Sequence, residues 1–410
     1  MFNILKSLTL VSFLLLINAS CALFDKDPGQ SFRIVHYNIK ELDTKKINRG
    51  LKNPQVNASI EILNSLKPDF ISFNEIQFDK KGVPTELELS TGLNLKKLNQ
   101  FLDKKLEFSS FHPANTGMKA TKQKNGHYLL SPRNSAWKTH ADPVNFGVFP
   151  GQYSTGALSH FEIVDQKIIS KLRWKAFNRQ LNLAKFKDAR GRSFPNNMEL
   201  FDKNFSDITL NINGKLVHII LFHTVPAFGF GNPDTPNFQR NADQIAFLKW
   251  YLTGKPKRPD LNIKPLGKDD RVIAIGDWNV DYKKDLQGAQ IIKELMNSYG
   301  FWTNPPGRTY IGDGYSPERS FTATLDYILY SSHFKKVEGG TLDIKAPLSN
   351  VVCEKDKKQD ESNKEASDSI AVQFKNEKEE FCNTRYDRQS YNLMTASDHL
   401  PLFIDLRIVK

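Results

Sequence analysis

Six short segments carry acidic, amide and imidazole side chains where apolar strands end: Asn38, Asn74-Glu75, His223-Thr224, Gly276-Asp277-Trp278-Asn279, Asp326 within Leu325-Asp326-Tyr327, and Ser397-Asp398-His399. A buried carboxylate is costly unless it is paired or bound to a metal. One such residue would be a cap or a turn. Six, all at the ends of apolar runs, point to a single polar cleft above the edges of two sheets. Carboxylate and amide oxygens there suit a hard divalent cation. A neutral histidine near pH 7 can take a proton from water. Asp277 and Asn279, two residues apart at a strand end, share a face.

The elements that must position these groups alternate between period two and period 3.6. Strands are expected over Ser31–Tyr37, Asp69–Phe73, Gly156–Ile163, Arg271–Ile275, Leu325–Tyr330 and Leu402–Ile408. Phe205–Phe222 reads as a hairpin, because Asn213-Gly214 separates two alternating apolar runs. Helices are expected over Ala58–Leu66, stopped by Pro68, over Asn241–Leu252, stopped by Gly254, and over Ala289–Tyr299, stopped by Gly300. Two stretches, Ala114–Asn145 and Glu354–Glu380, read as insertions, the second as a solvated surface excursion. Strands with interspersed helices fit two packed sheets flanked by helices.

The chain has 410 residues, 39% of them apolar and 25% charged. That composition excludes a mostly disordered or collagenous protein. A formal charge of +12 favours anionic partners without choosing among nucleic acid, phosphate esters and acidic lipid. Met1–Lys6 is basic, Leu8–Ile17 is apolar but half the length of a spanning helix, and Asn18-Ala19-Ser20-Cys21 follows. The pattern describes an export signal over 1–20. Cys21 after Ala-Ser resembles a bacterial lipoprotein processing box, which implies lipidation of Cys21 and a tether over 21–30. The alternative is an ordinary signal peptide with a stray cysteine. Cys353 and Cys382 remain as an even pair, expected to form a disulfide in an oxidising compartment, or else to stay as two free thiols. Residues 31–410 are read as one domain.

The pieces HYNIKELD, FISFNEIQFD, FPGQYSTGALSHFEI, LFHTVPAF, RNADQIAFLKWYL, IAIGDWNVD, TLDYILYSS and SDHLPLF resemble the endonuclease/exonuclease/phosphatase superfamily, from about Phe32 to Leu406. Phe149–Tyr153 and Arg240-Asn241 resemble a branch of exported bacterial members, although Phe228–Phe238 departs from that branch's more acidic loop. The resemblance implies an α+β fold, a four-layer sandwich of two mixed or antiparallel sheets between helices. It implies hydrolysis of phosphoesters with Mg²⁺ or Mn²⁺ at Glu75, supported by Asn38. His399 is then the general base, Asp326 orients it, and Asp398 holds water or a second cation. Asp277 and Asn279 bind the phosphoryl group or orient water, with Asn279 as a donor. His223 contacts the phosphate, stabilising charge or protonating the leaving group. Tyr153 and Arg240 are substrate contacts, or a packing residue and an ion-pair partner. Asp43 is a loop acid or a support for the metal site.

The expected partner is a phosphoester, either nucleic acid, phospholipid or a smaller ester, met by a monomer attached to a membrane by its lipid or secreted. A sphingomyelinase-like lipid diesterase and an inactive surface-binding lipoprotein are the competing readings.

Overall fold

A computed structural model describes residues 29–302, 307–318, 321–354 and 369–409. The export signal, Cys21 and most of the tether therefore lie outside the described residues. Fifteen strands follow in chain order: β1 (Phe32–Leu42), β2 (Phe70–Ile76), β3 (Phe108–His112), β4 (Ser154–Ser159), β5 (Glu162–Ile169), β6 (Phe205–Ile212), β7 (Lys215–Phe222), β8 (Val272–Asp277), β9 (Gly300–Trp302), β10 (Asp326–Tyr330), β11 (Phe334–Thr341), β12 (Val352–Glu354), β13 (Ser369–Lys375), β14 (Phe381–Asp387) and β15 (Leu402–Ile408). They form two six-stranded sheets, β11-β15-β1-β2-β4-β3 and β5-β6-β7-β8-β10-β9, and a small sheet β12-β14-β13. Each large sheet is antiparallel except at one pair, β1–β2 in the first and β7–β8 in the second.

Alternation decides which face each strand buries where. In β1, Phe32 and Ile34 join Ile208, Ile219, Ile273, Ile275, Ile328 and Ile404 in the core between the sheets. Val35, Tyr37 and Ile39 point the other way, onto Val56, Ile60 and Leu63 of the helix Pro54–Leu66. The second sheet's outer face packs on the helices Asn237–Thr253 and Gln287–Met296 through Ile245, Leu248 and Ile292. The result is the four-layer sandwich. Each fully buried Ile or Leu contributes roughly 1.5–3 kcal/mol. Local signals set the helix ends. Asn53 caps Pro54–Leu66 by accepting the Val56 N–H at 3.1 Å, and Lys67 closes it in a left-handed conformation. Among the described residues, no helix is long and apolar enough to cross a membrane.

Several expectations change. Gly156–Ile163 is two strands, because the chain leaves the first sheet at Ser159 and enters the second at Glu162. The helices expected from Ala58 and from Asn241 begin earlier, at Pro54 and at Asn237. The Cys-bounded excursion is structured at its base, where β13 pairs with β14 over seven residues. The expected disulfide is present, joining Cys353 to Cys382 between β12 and β14. Alternation in the sequence SIAVQFK is that of a strand, but the charged stretch before it masks the signal. Residues 355–368 of that excursion lie outside the described ones.

Candidate active site

Glu75, Tyr153, His223, Asp277, Asn279, Asp398 and His399 line one cleft of about 1020 Å³. Asn38 and Asp326 are fully buried. Strand register brings the groups together. Asn38 on β1 lies beside Asn74 on β2, and Asp277 on β8 lies opposite Asp326 on β10. Asn74 ties the two sheets by accepting the Asp277 N–H at 2.9 Å.

Asp326 is the anchor for a histidine. Its Oδ2 lies 2.7 Å from His399 Nδ1, and its Oδ1 lies 3.0 Å from His36 Nε2. The Asp326 N–H donates to Thr309 Oγ1 at 2.9 Å. Burial alone would raise the Asp326 carboxyl, but His399 and His36 hold it well below the usual carboxylate range. Burial alone would lower the His399 imidazole, but Asp326, then Asp277 and Asp398, lift it to about 10. His399 Nε2 faces the cleft, 3.9 Å from Asp277 Oδ2, with the Tyr310 ring edge-on at 5.2 Å.

Asp277 and Glu75 form the second cluster. Asn38 Nδ2 donates to Asp277 Oδ2 at 3.0 Å and to Glu75 Oε1 at 3.2 Å. Glu75 Oε2 accepts the Glu41 N–H at 3.2 Å. Burial, followed by the Asp326 carboxylate, pushes Asp277 up to about 7. Burial and Asp398 push Glu75 up as well. Ligand atoms of Glu75, His223 and Asp277 all lie within 4.8 Å of one another. The His223 Nδ1 is buried without a partner, and burial plus Lys203 holds the ring neutral. Carboxylate oxygens brought this close together, beside a neutral imidazole, suit a hard divalent cation. The residues therefore fit the group, with Glu75 and Asp277 as its oxygen donors.

The backbone here is strained. Lys40, Glu41, Glu75, Tyr153 and Asn279 all have positive φ, between 42° and 64°. Each such non-glycine residue costs of order 1–3 kcal/mol and persists only where surrounding bonds over-determine it. The β1–β2 register shifts between Asn38 and Leu42, and this irregularity turns Lys40 and Glu41 towards the cleft.

Several expected roles change with the contacts. Arg240 borders the cleft, yet it does not present its guanidinium to a substrate. The group is buried, donating to the carbonyls of Leu200 (3.0 Å), Val144 (3.1 Å) and Glu199 (2.9 Å) and to Asn145 Oδ1 (2.6 Å). It ties the cleft wall together. Asn38 presents its NH₂, not its oxygen, to the carboxylates, because Oδ1 accepts the Lys40 N–H at 3.1 Å. Asn279 spends its amide N–H groups on Asp277 Oδ2 (3.0 Å) and Thr224 O (3.1 Å), so it orients Asp277. Tyr153 donates to Glu41 Oε1 at 2.9 Å, and Asp398 pairs with Lys40 at 3.2 Å. Asp43 caps the helix Thr44–Arg49 by accepting the Lys46 N–H at 2.7 Å, which removes it from the metal site.

The sequence reading missed His36, Lys40, Glu41, Lys203 and Tyr310. His36 had a signal: it lies two residues before Asn38 and so shares its face. Lys203 had one too: it lies just before β6, and the hairpin register that pairs Phe205 with Phe222 brings its ammonium to Thr224 O (3.0 Å), while it also pairs with its neighbour Asp202 (2.8 Å).

A family model described as the endonuclease/exonuclease/phosphatase family matches residues 36–399. Solved structures with a similar fold include an endonuclease/exonuclease/phosphatase from Beutenbergia cavernae (12% identity, TM-score 0.49, covering 92% of this chain and 72% of that one). A mannosyl-6-phosphatase from Bacteroides thetaiotaomicron is similar too (12%, 0.42, 92% and 99%). So is a sphingomyelinase C from Streptomyces griseocarneus (13%, 0.43, 92% and 99%). No curated protein matches the sequence. The family match spans the strand that carries His36 and Asn38, the carboxylate cluster and His399, so the chain belongs to the endonuclease/exonuclease/phosphatase family.

Proposed function

We propose that this protein is a divalent-cation-dependent phosphoester hydrolase in which His399 activates water. The observation that carries the reading is the Asp326–His399 pair at 2.7 Å, in which buried Asp326 holds a His399 that opens onto the same cleft as Glu75, Asp277 and His223. A Mg²⁺ or Mn²⁺ ion held by Glu75 and Asp277 would neutralise phosphoryl charge and, by its own charge, favour the neutral form of His399. The chain's residues do the rest. Asp326 fixes the proton on His399 Nδ1 and leaves Nε2 to take a proton from water. Neutral His223 donates a hydrogen bond to a phosphoryl oxygen or to the leaving oxygen. Asn38 and Asn279 hold the carboxylates in place. Asp398 keeps Lys40 at the cleft edge.

A second reading, a phospholipid substrate, is favoured by Phe228 and Phe230, which line the cleft while 60% and 67% exposed. Their rings pack edge to face at 4.9 Å. Export with lipidation at Cys21 belongs to the same proposal, and mass spectrometry of the mature N-terminus tests it: a free Cys21 thiol would remove the anchor. Hydrolysis is tested on plasmid DNA, RNA, sphingomyelin, bis-p-nitrophenyl phosphate and p-nitrophenyl phosphate, each with Mg²⁺, Mn²⁺ or EDTA. Cleavage of at least one substrate, abolished by EDTA, is the expected result. Folded protein that cleaves none would leave a binding protein as the better reading.

A further inference from the structure

Asp313 sits in a loop between Gly312 (φ 70°) and Gly314 (φ 86°), at the mouth of the same cleft. Its Oδ1 pairs with the Lys40 ammonium, and its Oδ2 lies 3.4 Å from an Arg133 guanidinium nitrogen. Lys40 also reaches Asp398 Oδ2 at 3.2 Å, one residue from His399. Three segments remote in sequence therefore meet here: the irregular end of β1, the insertion that carries Arg133, and the loop that carries Asp313.

Stability does not account for this meeting. The Asp313 and Arg133 side chains are 63% and 71% exposed, and ion pairs of that kind contribute little. What the arrangement does achieve is to bring two cations together at the cleft mouth, near the catalytic groups. A carboxylate lies between them where the oxygens of another anion would fit. A guanidinium and an ammonium together suit a phosphate, the first by its fork and the second as a point charge. The Asp313 side chain is 63% exposed, so displacing it uncovers no core.

We propose that Lys40 and Arg133 form a second anion subsite, for a substrate phosphate additional to the one being cleaved, and that Asp313 occupies it in the free protein. Its role in turnover rests on the phosphoester-hydrolase reading. The subsite selects esters that carry a further phosphate over zwitterionic or singly charged diesters. Asp313 screens the cations against weak anions, and a phosphate that displaces it is bound by both.

The test needs no turnover. The full chain, saturated with Mg²⁺, is titrated calorimetrically with methylenediphosphonate and with methylphosphonate. Wild type is compared with Asp313→Asn, Lys40→Gln and Arg133→Gln, with thermal melts verifying the fold. Methylenediphosphonate is expected to bind Asp313→Asn about three- to tenfold more tightly, and the Lys40 and Arg133 variants about three- to tenfold more weakly. Methylphosphonate, which needs only the catalytic end, is expected to change less than about twofold. Unchanged diphosphonate affinity in all three variants overturns the subsite, and so do equal changes for both ligands. Binding that follows expectation in a protein that cleaves no phosphoester would overturn the hydrolase reading and leave the subsite standing.

Discussion

At the scale of residues, Asp326 decides what His399 can do, and His36 decides how strongly Asp326 acts. The carboxylate shares its two oxygens between the two rings, at 2.7 Å and 3.0 Å. His36 is fully buried and lies behind the cleft, so it acts as a positioning residue. Removing its hydrogen bond leaves more of the Asp326 charge for His399 and raises the affinity of that ring for its proton. His36→Leu, which offers Asp326 no donor, is therefore expected to lower kcat by about tenfold and to move the acid limb of the kcat/KM profile to higher pH. A lower rate with an unmoved limb would mean that His36 only packs. Much of the site was legible because each group terminates or interrupts an apolar strand, where an acid or histidine has no folding reason to be. Arg240 was misread as a substrate contact for the opposite reason. Most of its partners are backbone groups, the carbonyls of Leu200, Val144 and Glu199, which no side-chain pattern announces.

Elements hold these residues by close packing. At Gly276, a Cβ would lie 1.6 Å from the carbonyl oxygen of Phe222, so only glycine lets β8 approach β7 as His223 and Asp277 require. Gly276→Ala is expected to destabilise by about 1–3 kcal/mol or more and to lower activity further than the stability loss explains. Denaturant melts and kinetics on the folded fraction separate the two effects. The helix Asn237–Thr253 is pinned to the second sheet by a polar network in which Tyr251 donates to Asp207 at 2.7 Å and His218 Nδ1 lies 2.9 Å from the same carboxylate. Burial would lower the His218 pKa, but the Asp207 hydrogen bond and charge raise it above its ordinary value. A raised histidine stabilises fully below its unfolded pKa of about 6.5, and the gain fades as pH climbs through the folded value. Wild type should thus exceed His218→Gln in Tm by more at about pH 5.5 than at about pH 9. An equal gap at both would refute the charged pair. The hairpin β6–β7, with Asn213-Gly214 at its turn, was legible from alternation and turn chemistry. The split between β4 and β5 was not, since apolar alternation says nothing about which sheet a strand joins.

The whole molecule places one cleft over two sheets and adds a small disulfide-bonded sheet beside them. Cys353 and Cys382 are 29 residues apart, so the bond constrains the unfolded chain by about 3–4 kcal/mol in the loop-entropy account. Replacing both by Ser should loosen β12–β14 in hydrogen exchange while leaving β1, β2, β8 and β10 protected. Loss of protection throughout would show that the small sheet supports the main fold. The central claim concerns the cleft: carboxylates from one cluster and a histidine from the other act on one phosphoester. Its most direct measurement is the hydrolysis of bis-p-nitrophenyl phosphate by wild type and His399→Ala, with Mg²⁺ or Mn²⁺ and after EDTA. The account predicts metal-dependent turnover that EDTA abolishes and that falls about 10²–10⁴-fold in a folded His399→Ala protein. Turnover at the wild-type rate in that variant, or full activity in EDTA, would contradict it.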